Sequence, residues 1–210
     1  MTPYAELNSC AARMRCYRFA QGIAHTIVMA QGITRSNLTL VEADGTVTKI
    51  NEPGVTMTPE ILAAIEGALD ALPLENNWVV LAGRLNPGAA DDTYSRLVQH
   101  AKARGARVVL DASGAALSAA VHAGGPDLIK PNQHELGGLV GREPQTVGDA
   151  IESAREVISR GVGAVLCSLG KDGALYITAD DVVHVEPAHS VVGTPVGAGD
   201  ILLATFLAGG

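Results

Sequence analysis

Asp200 closes the run Gly197-Ala198-Gly199-Asp200 and stands directly before the apolar stretch 201–207. Glycines cost backbone entropy, so a cluster implies an unusual backbone or a close approach by another group. The apolar stretch predicts a buried helix, which puts the cluster at its N-terminus, where free N–H groups and the helix dipole favour an anion. A carboxylate repels such an anion, so Asp200 needs a different partner. "KPNQHEL", residues 130–136, sets Lys130 after an apolar run and Glu135 three residues after Asn132. On the residues alone this is either an N-cap with a first-turn acid or a corner for phosphate and Mg²⁺. In the second reading Lys130 lies near phosphates, Asn132 fixes the loop and Glu135 holds metal-bound water. "SLGKDG", residues 168–173, supplies Ser168, Gly170 and Gly173 and by itself reads as a hairpin turn. Arg35, in "TRSN", is either a solvated side chain or, on a flap over a strand-end site, a bidentate grip on phosphate.

Elements must carry these residues. The 210 residues are 47% hydrophobic and 18% charged, enough for one soluble domain or a large part of one. Thr26 to Asn51 is strand-like, with a hairpin signal at Asp44-Gly45. "TPEILAAIEGALDAL" predicts a helix with Thr58 as N-cap and Pro59 at its first position. Apolar runs "WVVLAG", "RVVLDA", "DLIK" and "AVLCSLG" then alternate with helical stretches around 90–104, 114–123 and 132–160. That alternation implies a parallel sheet covered on both faces, with the early hairpin outside it as a flap. "ALYIT" and "VVHVE" read as a further strand pair. Asp91-Asp92 reads as helix capping, Asp180-Asp181 as a turn, and His184 and His189 as surface residues.

In such folds ligands gather at the carboxyl ends of the strands. The candidates by position are Gly83-Arg84, Asp111, Lys130 to Asn132, Ser168 to Gly170 and the Gly197–Asp200 turn. Several other chemistries lack their marks. There is no P-loop, no third glycine of a dinucleotide fingerprint, no metalloprotease histidine pair and no nucleophile elbow. A net charge of −7 argues against nucleic-acid and anionic-membrane partners. Cys10, Cys16 and Cys167 have no metal-like spacing and read as free thiols in a reducing compartment. With no signal-peptide pattern and no apolar run long enough to cross a bilayer, the expected location is cytoplasmic.

Taken in order, "KPNQHEL", "SLGKDGALYIT" and "VGAGD" resemble the PfkB carbohydrate kinases of the ribokinase-like superfamily. "TRSNLTLVEADGTVTKINEPG" and "VVLDASGAAL" are similar to its 1-phosphofructokinase and tagatose-6-phosphate kinase branch. The resemblance runs from about Gly22 to the end, leaving 1–21 as an atypical segment before a partial kinase domain at 22–210, with the flap hairpin at about 26–53. It implies an α/β, mostly parallel, ribokinase-like sheet with helices on both faces and a small β flap. It implies ATP and Mg²⁺, a sugar-phosphate substrate, and a homodimer through the flap in a complete chain. Asp200 becomes the base for the sugar hydroxyl, and Gly197, Ala198 and Gly199 the anion hole. Lys130 and Asn132 contact ATP phosphates, Glu135 organises Mg²⁺, and Ser168, Gly170 and Gly173 line the nucleotide pocket. Arg35 holds the phosphate already on the sugar, with Gly83 and Asp111 beside the transfer site.

The chain also departs from the family pattern. The amino-terminal part, with its early substrate aspartate and G-G-K-G-x-N segment, has no counterpart, and the chain stops at the helix that begins at Gly199. "AGRLNPG", residues 82–88, places Arg84 where the family carries a small serine, and Thr194 and Thr205 depart around the base. The expected reaction is fructose 1-phosphate to fructose 1,6-bisphosphate. Tagatose 6-phosphate and fructose 6-phosphate are the alternative acceptors, and a non-catalytic remnant is the rival of another class.

Overall fold

The computed structural model describes residues 21–33, 35–42, 46–187 and 197–209, which form two compact units. The smaller spans Met1–Leu72 with Leu85–Ala90, and the larger Pro73–Arg84 with Asp91–Gly210.

In the smaller unit, β1 (Asn37–Val41) and β2 (Val47–Asn51) pair antiparallel, with Asn37 opposite Asn51 and Val41 opposite Val47. The expected hairpin is therefore present, while its Asp44-Gly45 turn lies outside the described residues. The strand pattern expected from Thr26 onward is not: among the described residues, 26–36 hold no strand. Strands need a partner to satisfy their backbone groups, and only 37–41 finds one here. Helix α1 (Pro59–Asp70) starts as anticipated, with Thr58 Oγ1 accepting from the Ile61 N–H at 3.4 Å and Pro59 at the first turn.

The larger unit is built on a six-stranded sheet, in chain order from edge to edge. Its strands are β3 (Trp78–Ala82), β4 (Arg107–Asp111), β5 (Leu128–Ile129), β6 (Ala164–Ser168), β7 (Ala174–Ile177) and β8 (Val182–Val185). The first four run parallel, and β7 and β8 are antiparallel additions. Helices α2 (Thr93–Lys102), α3 (Gly114–His122), α4 (Gln133–Val140) and α5 (Val147–Ser159) form the crossovers, and α6 (Ala198–Gly209) ends the described chain. The central strands are apolar on both sides: Val108, Val109, Leu110, Ile129, Val165 and Cys167 are all fully buried. This is what a parallel sheet covered on two faces requires. On one face Leu203 of α6 packs with Val109, Leu128, Ala164 and Leu166, flanked by Trp78, Tyr176 and Phe206.

Three expectations need correction. The helical stretch 132–160 is two helices, because Gly141 takes a left-handed cap conformation (φ 75°) and residues 142–145 are non-helical before Thr146 opens α5 with a capping box to Asp149. The run 201–207 is helical but not a buried helix: Leu203 is 5% exposed while Ile201 is 67% exposed. It covers the sheet with one face only. Asp92 occupies the N-cap of α2 but makes no side-chain capping bond. The turn expected at Asp180-Asp181 is present, with Thr178 Oγ1 accepting from both backbone N–H groups. His184 is a surface residue as expected, while His189 lies outside the described residues.

Candidate active site

Register brings the site residues to one side of the sheet. Ala82 pairs with Asp111, and Val109 with Leu128, so Asp111 and Lys130 share the face that carries Val109, Leu128 and α6. The Lys130 N–H extends the ladder by donating to the Leu110 carbonyl at 3.1 Å. Lys130 Nζ then lies 3.2 Å from Asp111 Oδ1, its side chain only 8% exposed. Burial pushes the Asp111 carboxyl above the ordinary aspartate value, Lys130 pulls it back down, and the charges of Asp200 and Glu135 push it up again. Those four groups therefore act within one electrostatic neighbourhood.

The α6 start reaches the same point. A β-carbon built on Gly199 would lie 2.9 Å from Lys130 Nζ, so the ammonium sits directly against the first turn of α6. The Ile201 N–H donates to the Gly197 carbonyl at 3.0 Å, closing the first turn over Gly197, Ala198 and Gly199 with Asp200 exposed in that turn.

Asn132 and Glu135 form a reciprocal capping box at α4. Asn132 Oδ1 accepts from the Glu135 N–H at 2.8 Å, and Glu135 Oε2 accepts from the Asn132 N–H at 2.9 Å. A parallel bridge joins Asn132 to Ser168, and the Ser168 N–H donates to the Pro131 carbonyl at 3.0 Å. Gly170 and Gly173 bound the tight turn between β6 and β7, the latter at φ 90°, where any side chain would collide with the Val185 carbonyl oxygen. Next to α4, a cleft of about 530 Å³ is lined by Ser113, Gly114, Leu117, Asn132, Glu135 and Leu139, among others.

Gly83 is held twice beside Asp111. Its N–H donates to the Asp111 carbonyl at 3.0 Å, and its carbonyl accepts from the Tyr94 hydroxyl at 2.8 Å. Arg35 belongs to the smaller unit, two residues before β1 rather than within the strand. Its Nε donates to Asn37 Oδ1 at 3.0 Å, and its Cβ lies 3.0 Å from where a β-carbon on Gly54 would sit.

Sequence reasoning missed three features here. The Asp111–Lys130 pair was hidden because the two residues lie on different strands, and only register joins them. Tyr94 gave no signal beyond its place early in a helix. Cys167, at the end of β6, is fully buried, and its thiol is pushed up to about 12, chiefly by burial, with Glu135 raising it and Lys130 lowering it.

Glu135 could hold Mg²⁺ only in the manner this ion often takes, through few carboxylates, retained water and substrate phosphates. Glu135 keeps Oε1 outside its capping bond, and its charge reaches Asp111. Among the described residues no set of three ligating side chains forms a closed cage.

A strand-end site on a mainly parallel sheet, flanked by helices and extended by an antiparallel pair, is the arrangement of the ribokinase-like kinases. The chain belongs to the family described as pfkB family carbohydrate kinase, whose pattern matches residues 15–209. It is 36% identical over 190 residues to the 1-phosphofructokinase of Rhodobacter capsulatus, covering 90% of this chain and 60% of that one. It is 35% identical over 182 residues to the ATP-dependent 6-phosphofructokinase isozyme 2 of Escherichia coli, covering 85% of this chain and 58% of the other. The structure of phosphofructokinase-2 from Escherichia coli in complex with fructose-6-phosphate superposes with a TM-score of 0.82 at 29% identity, over 94% of this chain and 66% of that one. The chain thus spans about 60% of the length of the relatives it matches.

Proposed function

We propose that this chain carries the phosphoryl-transfer half of an ATP-dependent sugar-phosphate kinase, with fructose 1-phosphate as acceptor and fructose 1,6-bisphosphate as product. The observation that carries the reading is the convergence of Lys130, Asp111 and the Gly199–Asp200 turn at one strand-end corner. Phosphoryl transfer needs positioning and charge stabilisation more than covalent chemistry. A buried ammonium beside a helix N-terminus supplies stabilisation, and an exposed carboxylate in the same turn can take a proton.

In this scheme the acceptor hydroxyl attacks the γ-phosphorus of ATP, its proton passes to Asp200, and the bond to ADP breaks with the electron pair leaving on ADP. The N–H groups of Gly197, Ala198 and Gly199 receive the charge on the phosphoryl oxygens. Lys130 and Asn132 hold the phosphate chain, and Ser168, Gly170 and Gly173 border the nucleotide. Mg²⁺ held through Glu135 would neutralise phosphate charge. Arg35 grips the phosphate that the acceptor already carries, and Gly83 and Asp111 border the acceptor side. A cytoplasmic setting suits free thiols and ATP, and pairing of two copies through the β1–β2 hairpin belongs to the same reading.

The likeness to phosphofructokinase-2 supports fructose 6-phosphate as a second acceptor. ADP release with Mg-ATP against fructose 1-phosphate, fructose 6-phosphate, tagatose 6-phosphate and unphosphorylated fructose separates these readings. Release with fructose 1-phosphate above the others is expected, and none with any acceptor refutes catalysis by this chain. Asp200→Asn should lower the transfer rate by roughly 10²–10⁴-fold, the range for loss of a general base. Its ATP affinity should stay unchanged, and near-normal turnover would remove Asp200 from the role.

A further inference from the structure

We propose that Asp111 is a positioning residue: its carboxylate holds the Lys130 ammonium against the first turn of α6, where the remaining donors of that ammonium bind the phosphate chain of Mg-ATP. This rests on the kinase reading and reassigns Asp111 from the acceptor to Lys130.

An ammonium has three donors and no acceptor. Lys130 is 8% exposed, and Asp111 is its one charged partner among the described residues, which leaves it donors that no described side chain takes. A cation is also badly placed at a helix N-terminus, where the dipole carries positive charge of its own. Lys130 is nonetheless brought so close to Gly199 that a methyl there would meet its Nζ at 2.9 Å. Two positive features held together, with unspent donors and no side chain between them, form a cradle for a multiply charged oxyanion. Asp111 makes this tolerable. Without its carboxylate the ammonium has no reason to stay in the corner and can swing towards solvent. Gly83 and Tyr94 brace the strand end that carries Asp111.

A simple neighbouring carboxylate would have the opposite effect on binding, because it repels phosphate. Removing it should then tighten ATP, whereas removing a positioning residue should loosen it. The two accounts differ in sign. Calorimetric titration of the whole chain with Mg-ATP reads this directly, with thermal melting as the check on folding. Asp111→Asn is expected to weaken binding by about tenfold or more, the scale of a lost hydrogen bond to a charged group. Asp111→Glu should recover part of the loss. In a Lys130→Gln background, Asp111→Asn should change affinity by less than about twofold, since the two residues act as a unit.

Gly199→Ala is an independent probe, because it improves helix propensity yet sets a methyl against the ammonium. It should weaken Mg-ATP by about fivefold or more, a fraction of one charged hydrogen bond. Unchanged or tighter binding in Asp111→Asn overturns the proposal while leaving the kinase reading intact. If that variant does not fold, unchanged binding in Gly199→Ala does the same. A wild-type chain that takes up no Mg-ATP overturns both.

Discussion

Leu203→Ala tests whether α6 is held to the sheet by the contacts described, and with it the placement of Gly197–Asp200. Leu203 is the one buried residue of α6, 5% exposed, and it packs with Val109, Leu128, Ala164 and Leu166. Burying a leucine is worth about 1.5–3 kcal/mol, and truncation to alanine in a closed core costs about 2–5 kcal/mol once the cavity is included. Leu202, Phe206 and Leu207 around it are only partly buried, so the helix can settle into part of the space. The expected cost therefore lies near the lower end, at about 2.5 kcal/mol. At about 2–4 °C per kcal/mol for a protein of this size, the melting temperature should fall by about 5–10 °C. Trp78 is the sole tryptophan and packs against this same cluster, under the Arg107 guanidinium at 4.4 Å. Its fluorescence thus reports the docking of α6 without a label. Ile201→Ala, at 67% exposure two residues earlier and on the other side of the helix, is the control and should cost less than about 0.5 kcal/mol. A Leu203→Ala protein that melts with the wild type and keeps its Trp78 emission would refute the packing of α6, and the placement of Gly199 against Lys130 would fall with it.

Glu135→Gln keeps an acceptor for the capping box while losing the charge. The helix should persist by circular dichroism while the Mg²⁺ concentration needed for ATP binding rises, and an unchanged requirement would confine Glu135 to capping. Cys167, raised to about 12 from an ordinary thiol near 9, keeps its proton in the folded state between those values. The folded state then binds the extra proton, so this contribution to stability is complete below pH 9 and is lost as pH climbs towards 12. Peptide mapping after alkylation at pH 8 should find Cys167 unmodified until the protein is unfolded, and rapid labelling of the native protein would contradict its burial. Gly173→Ala should destabilise by about 3 kcal/mol in urea titration, since a disfavoured backbone conformation is compounded by collision with the Val185 carbonyl. A loss below about 0.5 kcal/mol, the level of a neutral surface change, would show that β7 and β8 do not approach as described.

The parallel sheet was legible because β3, β4, β5 and β6 are short apolar runs separated by amphipathic stretches, a pattern fixed by burial on two faces. Thr58, Asn132 and Thr146 open helices through side-chain bonds made within a few residues, and such local chemistry can be read from the chain. What could not be read depends on distance along the chain. Asp111 and Lys130 meet only because Val109 aligns with Leu128, and no local pattern states which residues two parallel strands bring level. The same holds for Gly199, whose lack of a side chain matters only because Lys130 arrives from another strand. Hydrophobicity alone misjudged α6: its sequence is apolar nearly all round, yet only the side facing the sheet finds a partner here. The strand-like texture before residue 37 failed for a related reason, since β propensity becomes a strand only where another strand accepts its hydrogen bonds.

The bland and the chemical readings of Asn132 and Glu135 turn out to be compatible. The capping box occupies Asn132 Oδ1 and Glu135 Oε2, fixing both side chains at the end of β5. It leaves Oε1 of Glu135 and the amide nitrogen of Asn132 outside the box. A group locked by its own helix start approaches a ligand without losing rotamer freedom at that moment, which is the gain from preorganisation. The same logic holds at Lys130, where the Asp111 carboxylate does the fixing, and at Gly83, which Tyr94 and Asp111 hold from two sides. Each of these strand ends is held by bonds that belong to the fold, and Glu135 Oε1 and the Asn132 amide nitrogen stay outside theirs. Asp200 is exposed in the first turn of α6 with no side-chain hydrogen bond among the described residues, a setting that suits its proposed role as proton acceptor for a diffusing hydroxyl.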